Sequence, residues 1–120
     1  SARAVIEMME QVVTREGTGV LAAVAGYTVA GKTGTTRKFK VGGYESDRYT
    51  SLFAGVAPAS NPRLSVVVVI DEPSAGEYYG GMVAGPVFSQ IVADAARLLA
   101  IPPDAIRPAP AYSTTVAQQR

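Results

Sequence analysis

Residues 64–70 set four valines and an isoleucine in unbroken succession, Val66-Val67-Val68-Val69-Ile70, behind Leu64. β-Branched side chains are stiff at χ1 and favour extended backbone, so this run predicts a strand; its continuous apolar character predicts burial on both faces. No apolar run approaches the roughly 20 residues needed to cross a bilayer. Just upstream, Ser60-Asn61-Pro62 is a turn sequence, and residues 49–57 read as a second strand. Residues 27–36, rich in Thr and Val, predict a third strand. Between them, residues 39–47 hold Gly42 and Gly43 among alternating charges and suit an exposed loop or hairpin arm. Connections this short favour antiparallel pairing.

Helices bracket the strands. Ser1 is a plausible N-cap, and Val5, Met8, Met9, Val12 and Val13 recur at helical spacing, with Met8 and Met9 expected in the core. Gly17 and Gly19 should stop this helix. A helix beginning at residue 1 without lead-in is expected of a chain cut from a longer one. Residues 20–25 are small and apolar, and residues 72–81 form a loop with two adjacent tyrosines and two adjacent glycines. Pro86 then opens a second helix whose apolar stripe is Val87, Phe88, Ile91, Val92, Ala95, Leu98 and Leu99. Four of the eight prolines follow residue 100, so residues 102–120 are expected as a flexible tail behind one unit at 1–101. The order predicts a mixed α/β fold, an antiparallel sheet with flanking helices. At 120 residues the chain is one domain or a piece of one.

Composition excludes several chemistries. The chain has no Cys and no His, which removes thiol nucleophiles, imidazole-based triads and Cys/His zinc sites. No metal or cofactor is expected. A formal charge of +1 gives no electrostatic footprint for nucleic acid.

Two motifs share one stretch. Residues 26–33, from Gly26 to Gly31-Lys32-Thr33, fit the phosphate-loop pattern G-x-x-x-x-G-K-[ST], and Asp71 behind the valine run resembles the Mg²⁺-binding aspartate of such enzymes. A phosphate loop must open into a helix, whose N-terminus and backbone N–H groups hold the phosphates. Here Lys32-Thr33 opens into β-branched and glycine residues with no helical stripe. A nucleotide-binding module remains the alternative reading. In the other reading Lys32-Thr33-Gly34-Thr35 lies within a strand. Side chains alternate, so Thr33 and Thr35 share a face about 7 Å apart and together can hydrogen-bond a carboxylate lying along the strand. Gly34 leaves room for a close backbone, while Lys32, Arg37 and Lys38 add positive charge. This suits an extended, anionic, peptide-like ligand.

Lys32-Thr33-Gly34 is one of the three motifs of penicillin-recognising serine enzymes. Around it the chain carries Val29-Ala30-Gly31-Lys32-Thr33-Gly34-Thr35, Phe53-Ala54-Gly55-Val56-Ala57-Pro58, Val67-Val68-Val69-Ile70-Asp71-Glu72-Pro73, Tyr78-Tyr79-Gly80-Gly81 and Ala84-Gly85-Pro86-Val87-Phe88. In these five blocks, from the opening helix to about residue 103, it resembles the C-terminal part of the transpeptidase domain of class B penicillin-binding proteins, the division-specific penicillin-binding protein 3 type. The resemblance implies part of a serine β-lactamase-like domain. It implies a peptidoglycan D,D-transpeptidase that cross-links stem peptides ending in D-Ala-D-Ala at the septum through an acyl-serine, and that β-lactams acylate. Lys32 would border the site and serve catalysis. Thr33, Gly34 and Thr35 would bind the substrate, with the Thr35 N–H in the oxyanion hole. Arg37 would flank the carboxylate, and Tyr49, Tyr78 and Tyr79 would line the cleft. Expected partners are the remainder of the same domain, a cell-division glycosyltransferase and other divisome proteins, and the expected location is the periplasmic face of the inner membrane, anchored from outside this sequence. None of the eight serines begins S-x-x-K or S-x-N. The nucleophile and its lysine are therefore expected upstream of Ser1, the segment alone inactive, and much apolar surface exposed when it is separated.

Overall fold

In the computed structural model, residues 1–14, 17–40, 42–73 and 80–105 are described. The Ser1 side chain accepts the Ala4 N–H at 3.3 Å and caps α1, Ala2–Glu10. The helix ends sooner than Gly17: a 3-10 turn follows at Gln11–Val13, and Thr14 leaves it in extended backbone. The Thr14 hydroxyl donates to the Gln11 carbonyl at 2.7 Å, a local bond of the kind that competes with helix continuation. A second 3-10 turn at Val20–Ala22 leads to the sheet.

Three strands follow: β1 Ala30–Lys40, β2 Gly43–Ala57 and β3 Leu64–Asp71. They lie in the order β1-β2-β3, antiparallel throughout, as expected. Of the expected loop or hairpin arm, residues 39–40 end β1 and 43–47 begin β2, with Gly42 at φ +97°. β1 starts three residues later than expected, because Tyr27 turns back to bond the Val24 carbonyl. Directly opposed residues share a face. Thr33, Phe53 and Val68 therefore lie on one face, and Lys32, Ala54 and Val67 on the other.

The first face is covered by α3, Gly85–Leu98, which has Pro86 in its opening turn and follows the single-turn α2, Gly80–Val83. Phe53 and Phe88, both fully buried, meet in a tilted pair with ring centroids 4.7 Å apart, and Val92 continues the core. Only part of the expected α3 stripe is used: Phe88 and Val92 are buried, joined by Ala96 from outside it, while Val87, Ile91, Leu98 and Leu99 are exposed, Leu98 by 81%. The expectation for β3 also needs correction. Val68 is 7% exposed, but its neighbours Val67 and Val69 are 64% and 56% exposed, because α3 covers one face of the sheet only. Met8, expected in the core, is exposed by 64%, and α1 buries none of its residues completely.

Residues 102–105 do not behave as a tail. The Tyr27 hydroxyl donates to the Ile101 carbonyl at 2.5 Å, and the N–H groups of Asp104 and Ala105 both donate to the Gly26 carbonyl. The Asp104 carboxylate accepts from the Thr28 N–H at 2.7 Å and from the hydroxyls of Thr28 and Ser60. Burial pushes this carboxyl up, but the hydrogen bonds from Ser60 and Thr28 outweigh it and hold it below the ordinary value. The rest of the expected tail, 106–120, lies outside the described residues.

Candidate active-site wall

Lys32-Thr33-Gly34-Thr35 occupies the middle of β1, the outer strand of the described sheet. Thr33 and Thr35 turn their hydroxyls into a shallow groove of about 270 Å³, bounded also by Thr18, Gly80, Gly81 and Met82. α2 roofs it at very close range. A Cβ on Gly80 would stand 2.3 Å from the Leu52 carbonyl oxygen and 2.6 Å from that of Gly34. One on Gly81 would stand 1.8 Å from the Thr18 carbonyl oxygen. Glycine at 80 lets the helix turn lie directly on β1 and β2, and glycine at 81 lets it meet the backbone of the Thr18 segment.

This proximity sets the hydrogen bonds. The Gly80 N–H donates to Thr35 Oγ1 at 2.9 Å. Thr18 Oγ1 and Thr33 Oγ1 are 3.2 Å apart. Strand alternation starts Lys32 on the opposite face from Thr33, yet its long stem curls round the edge, and Nζ donates to Thr33 O at 3.2 Å and to Thr33 Oγ1 at 3.4 Å. The Thr33 carbonyl is thus met at the open edge of the strand. In an antiparallel pair, alternate residues direct their N–H and C=O groups the same way, so the Thr35 N–H is directed to that edge as well.

Of the other expected site residues, Gly34 lies beneath α2, its backbone oxygen and nitrogen 2.6 and 3.0 Å from where a Cβ on Gly80 would stand. Arg37 is exposed and pairs in register with the half-buried Tyr49, two residue pairs beyond Thr35–Ser51. Tyr78 and Tyr79 lie outside the described residues. Sequence reasoning missed Thr18 and Met82. The signal for Thr18 was its place between Gly17 and Gly19, where the chain passes close to another backbone.

The nucleotide reading does not fit. Lys32 and Thr33 lie inside a strand instead of opening a helix. Asp71 is engaged within the protein: Lys38 Nζ lies 2.9 Å from Oδ1, and the Thr50 hydroxyl donates to the same oxygen at 3.2 Å. The hydrogen bond from Lys38 holds the Asp71 carboxyl below its usual value and raises Lys38 in turn. Lys38 also reaches Glu72 at 3.6 Å, and Arg48 of β2 pairs with Glu72 at 3.2 Å, so Lys38, expected to add charge near the ligand, instead ties β1 to the end of β3. Among the described residues no group of three or more acidic side chains could hold a metal ion.

The penicillin binding protein transpeptidase domain family matches residues 1–93. This chain belongs to that family. It is 49% identical over 104 residues to the peptidoglycan D,D-transpeptidase FtsI of Escherichia coli K12, covering 87% of this chain and 18% of that protein. It is 49% identical over 109 residues to the probable peptidoglycan D,D-transpeptidase PbpC of Pseudomonas aeruginosa, covering 90% and 19%. The chain therefore spans about a fifth of the length of these relatives. The apo transpeptidase domain of penicillin-binding protein 3 from Burkholderia pseudomallei superposes with a TM-score of 0.80 at 48% identity, over 88% of this chain and 32% of that one. The mixed α/β fold with an antiparallel sheet is thus that of a transpeptidase domain, and this chain forms part of one. No described helix is long and apolar enough to cross a membrane.

Proposed function

We propose that this chain is one wall of the active site of a peptidoglycan D,D-transpeptidase, the nucleophilic serine and its activating lysine being carried by the rest of the domain. The observation that carries the reading is the pair of hydroxyls, Thr33 and Thr35, side by side in the groove along the open edge of β1, in a chain of this family. An extended stem peptide ending in D-Ala-D-Ala lies antiparallel to β1. Thr33 and Thr35 hold its terminal carboxylate, Lys32 supplies charge and takes part in proton transfer at the strand edge, and Gly34 keeps the backbone approach open.

The Thr35 N–H, directed to the same edge, is one oxyanion-hole donor, engaging most strongly as charge develops on the attacked carbonyl. Arg37 flanks the carboxylate, and Tyr49, Tyr78 and Tyr79 line the cleft around the ligand's side chains. β-Lactams enter as mimics of the D-Ala-D-Ala end and leave the serine acylated. The chemistry requires no metal or cofactor. The enzyme acts at the division septum, on the periplasmic face of the inner membrane, together with a glycosyltransferase and other division proteins.

The test is Thr35→Val in a transpeptidase domain that contains this chain. A hydrogen bond to a charged group is worth about 1.5–3 kcal/mol, so the second-order rate of acylation by benzylpenicillin should fall by roughly 10- to 100-fold. Thr35→Ser should retain most of the rate. Unchanged acylation in the valine variant would remove the assigned role.

A further inference from the structure

The donors behind the two threonine hydroxyls differ in kind. Thr35 Oγ1 accepts from the Gly80 N–H, a group that can only donate, so the Thr35 proton is left for the open side of the groove. Thr33 Oγ1 has two neighbours, the Lys32 ammonium at 3.4 Å and the Thr18 hydroxyl at 3.2 Å. An ammonium only donates, whereas a hydroxyl can donate or accept. The direction of the Thr33 proton is therefore decided at Thr18.

Thr18 is well placed to decide it. Its segment is fixed on both sides, by the Gly17 N–H to the Thr14 carbonyl at 2.9 Å and by the Gly19 N–H to the Val12 carbonyl at 2.7 Å. Its carbonyl lies against Gly81 so closely that no side chain fits there. The hydroxyl consequently bridges from the roof of the groove to its floor.

We propose that Thr18 is a positioning residue of this site, whose hydroxyl donates to Thr33 Oγ1 and so commits the Thr33 proton to an anionic ligand. With Lys32 and Thr18 both donating into the Thr33 lone pairs, the remaining Thr33 proton has the ligand as its partner. Successive O–H groups aligned in one direction also polarise one another. A Thr33 O–H committed in this way bonds an ionised carboxylate, as a charge-assisted hydrogen bond, more strongly than the neutral ester of the same ligand, which accepts without carrying charge. This inference rests on the reading of the groove as the carboxylate site.

The experiment uses a complete transpeptidase domain containing this chain, with benzylpenicillin and benzylpenicillin methyl ester as paired probes. The quantity read is the ratio of their acylation rates, acid over ester. In Thr18→Val the ratio should fall by about 5- to 10-fold, the scale of one neutral hydrogen bond. Thr18→Ser should restore it, and Thr18→Val should add nothing further on a Thr33→Val background. A general loss of packing would lower both rates together and leave the ratio alone, so an unchanged ratio overturns the inference, as does an additive double variant. If Thr35→Val reduces the ratio while Thr18→Val does not, only the role of Thr18 falls. If Thr35→Val also leaves it unchanged, the groove is not the carboxylate site, and both readings fall together.

Discussion

Replacing Gly80 with alanine adds one carbon where the structure leaves it no room. On helix propensity alone the change should stabilise, by up to about 1 kcal/mol. The close approach predicts the opposite. The new Cβ would sit 2.3 Å from the Leu52 carbonyl oxygen and 2.6 Å from the Gly34 carbonyl oxygen, and both are backbone atoms of paired strands that cannot swing aside. To restore an ordinary contact, α2 must lift from the sheet by about 1 Å. The Gly80 N–H to Thr35 Oγ1 bond, now 2.9 Å, would then stretch past hydrogen-bonding range, and the Thr35 hydroxyl would lose the donor that orients it. Overpacking of this kind destabilises by about 1–3 kcal/mol, which exceeds the propensity gain. A misplacement of about 1 Å at a reacting site lowers rates by about 100-fold. Two measurements on a domain carrying the chain check this: the melting temperature and the rate of acylation by benzylpenicillin. A Gly80→Ala variant that melts no lower and acylates within about twofold of the parent would refute the argument from close approach.

The core and the C-terminal clasp give two more expectations. Phe88→Ala removes the ring that meets Phe53 at 4.7 Å and should destabilise the domain by about 3–5 kcal/mol in chemical denaturation, and a far smaller loss would mean that α3 does not close the core. Asp104 is held below its ordinary pKa despite partial desolvation, so its contribution is fully present above the unfolded carboxylate value, about 3.9, and is lost as pH falls through the lower folded value. Asp71 and Asp94 titrate in the same direction, so the test is the difference between parent and Asp104→Asn: the variant should show a shallower loss of stability on acidification, and identical acid limbs would exclude Asp104 as a contributor.

Local signals were strong where local chemistry decides the structure. Ser1 as N-cap, Pro86 at the start of α3, the Ser60-Asn61-Pro62 turn and the antiparallel order of three strands were all legible from capping, ring geometry and short connections. What failed depended on neighbours that a residue pattern does not name. The run through Val67 and Val69 has the same composition whether one face is covered or two, and α3 covers one. The α3 stripe likewise reads as one broad face, but of its members only Phe88 and Val92 are buried, and Ala96, which the stripe did not include, is buried with them. Asp104 was hidden among prolines that predict disorder; its hydrogen bonds to Thr28 and Ser60 span 76 and 44 residues, beyond the reach of any local signal.

The ambiguity at residues 26–33 was resolved by backbone geometry, since both motifs require the same Gly31, Lys32 and Thr33. A phosphate loop needs Gly31 in a turn and Lys32-Thr33 at a helix N-terminus, where successive N–H groups converge on one point. In a strand the N–H groups alternate between two directions and cannot converge. Gly31 has a different task here: a Cβ on it would lie 2.4 Å from the Phe53 ring, so its bareness makes room for the core. Convergence is replaced by repetition. Every second residue of β1 presents the same face, and that spacing of Thr33 and Thr35 suits an extended carboxylate-ended ligand and does not suit a compact triphosphate. The deciding fact is that the four residues after Lys32-Thr33, namely Gly34, Thr35, Thr36 and Arg37, pair in unbroken register with Leu52, Ser51, Thr50 and Tyr49. A helix starting at Lys32 would have to break every one of those pairs.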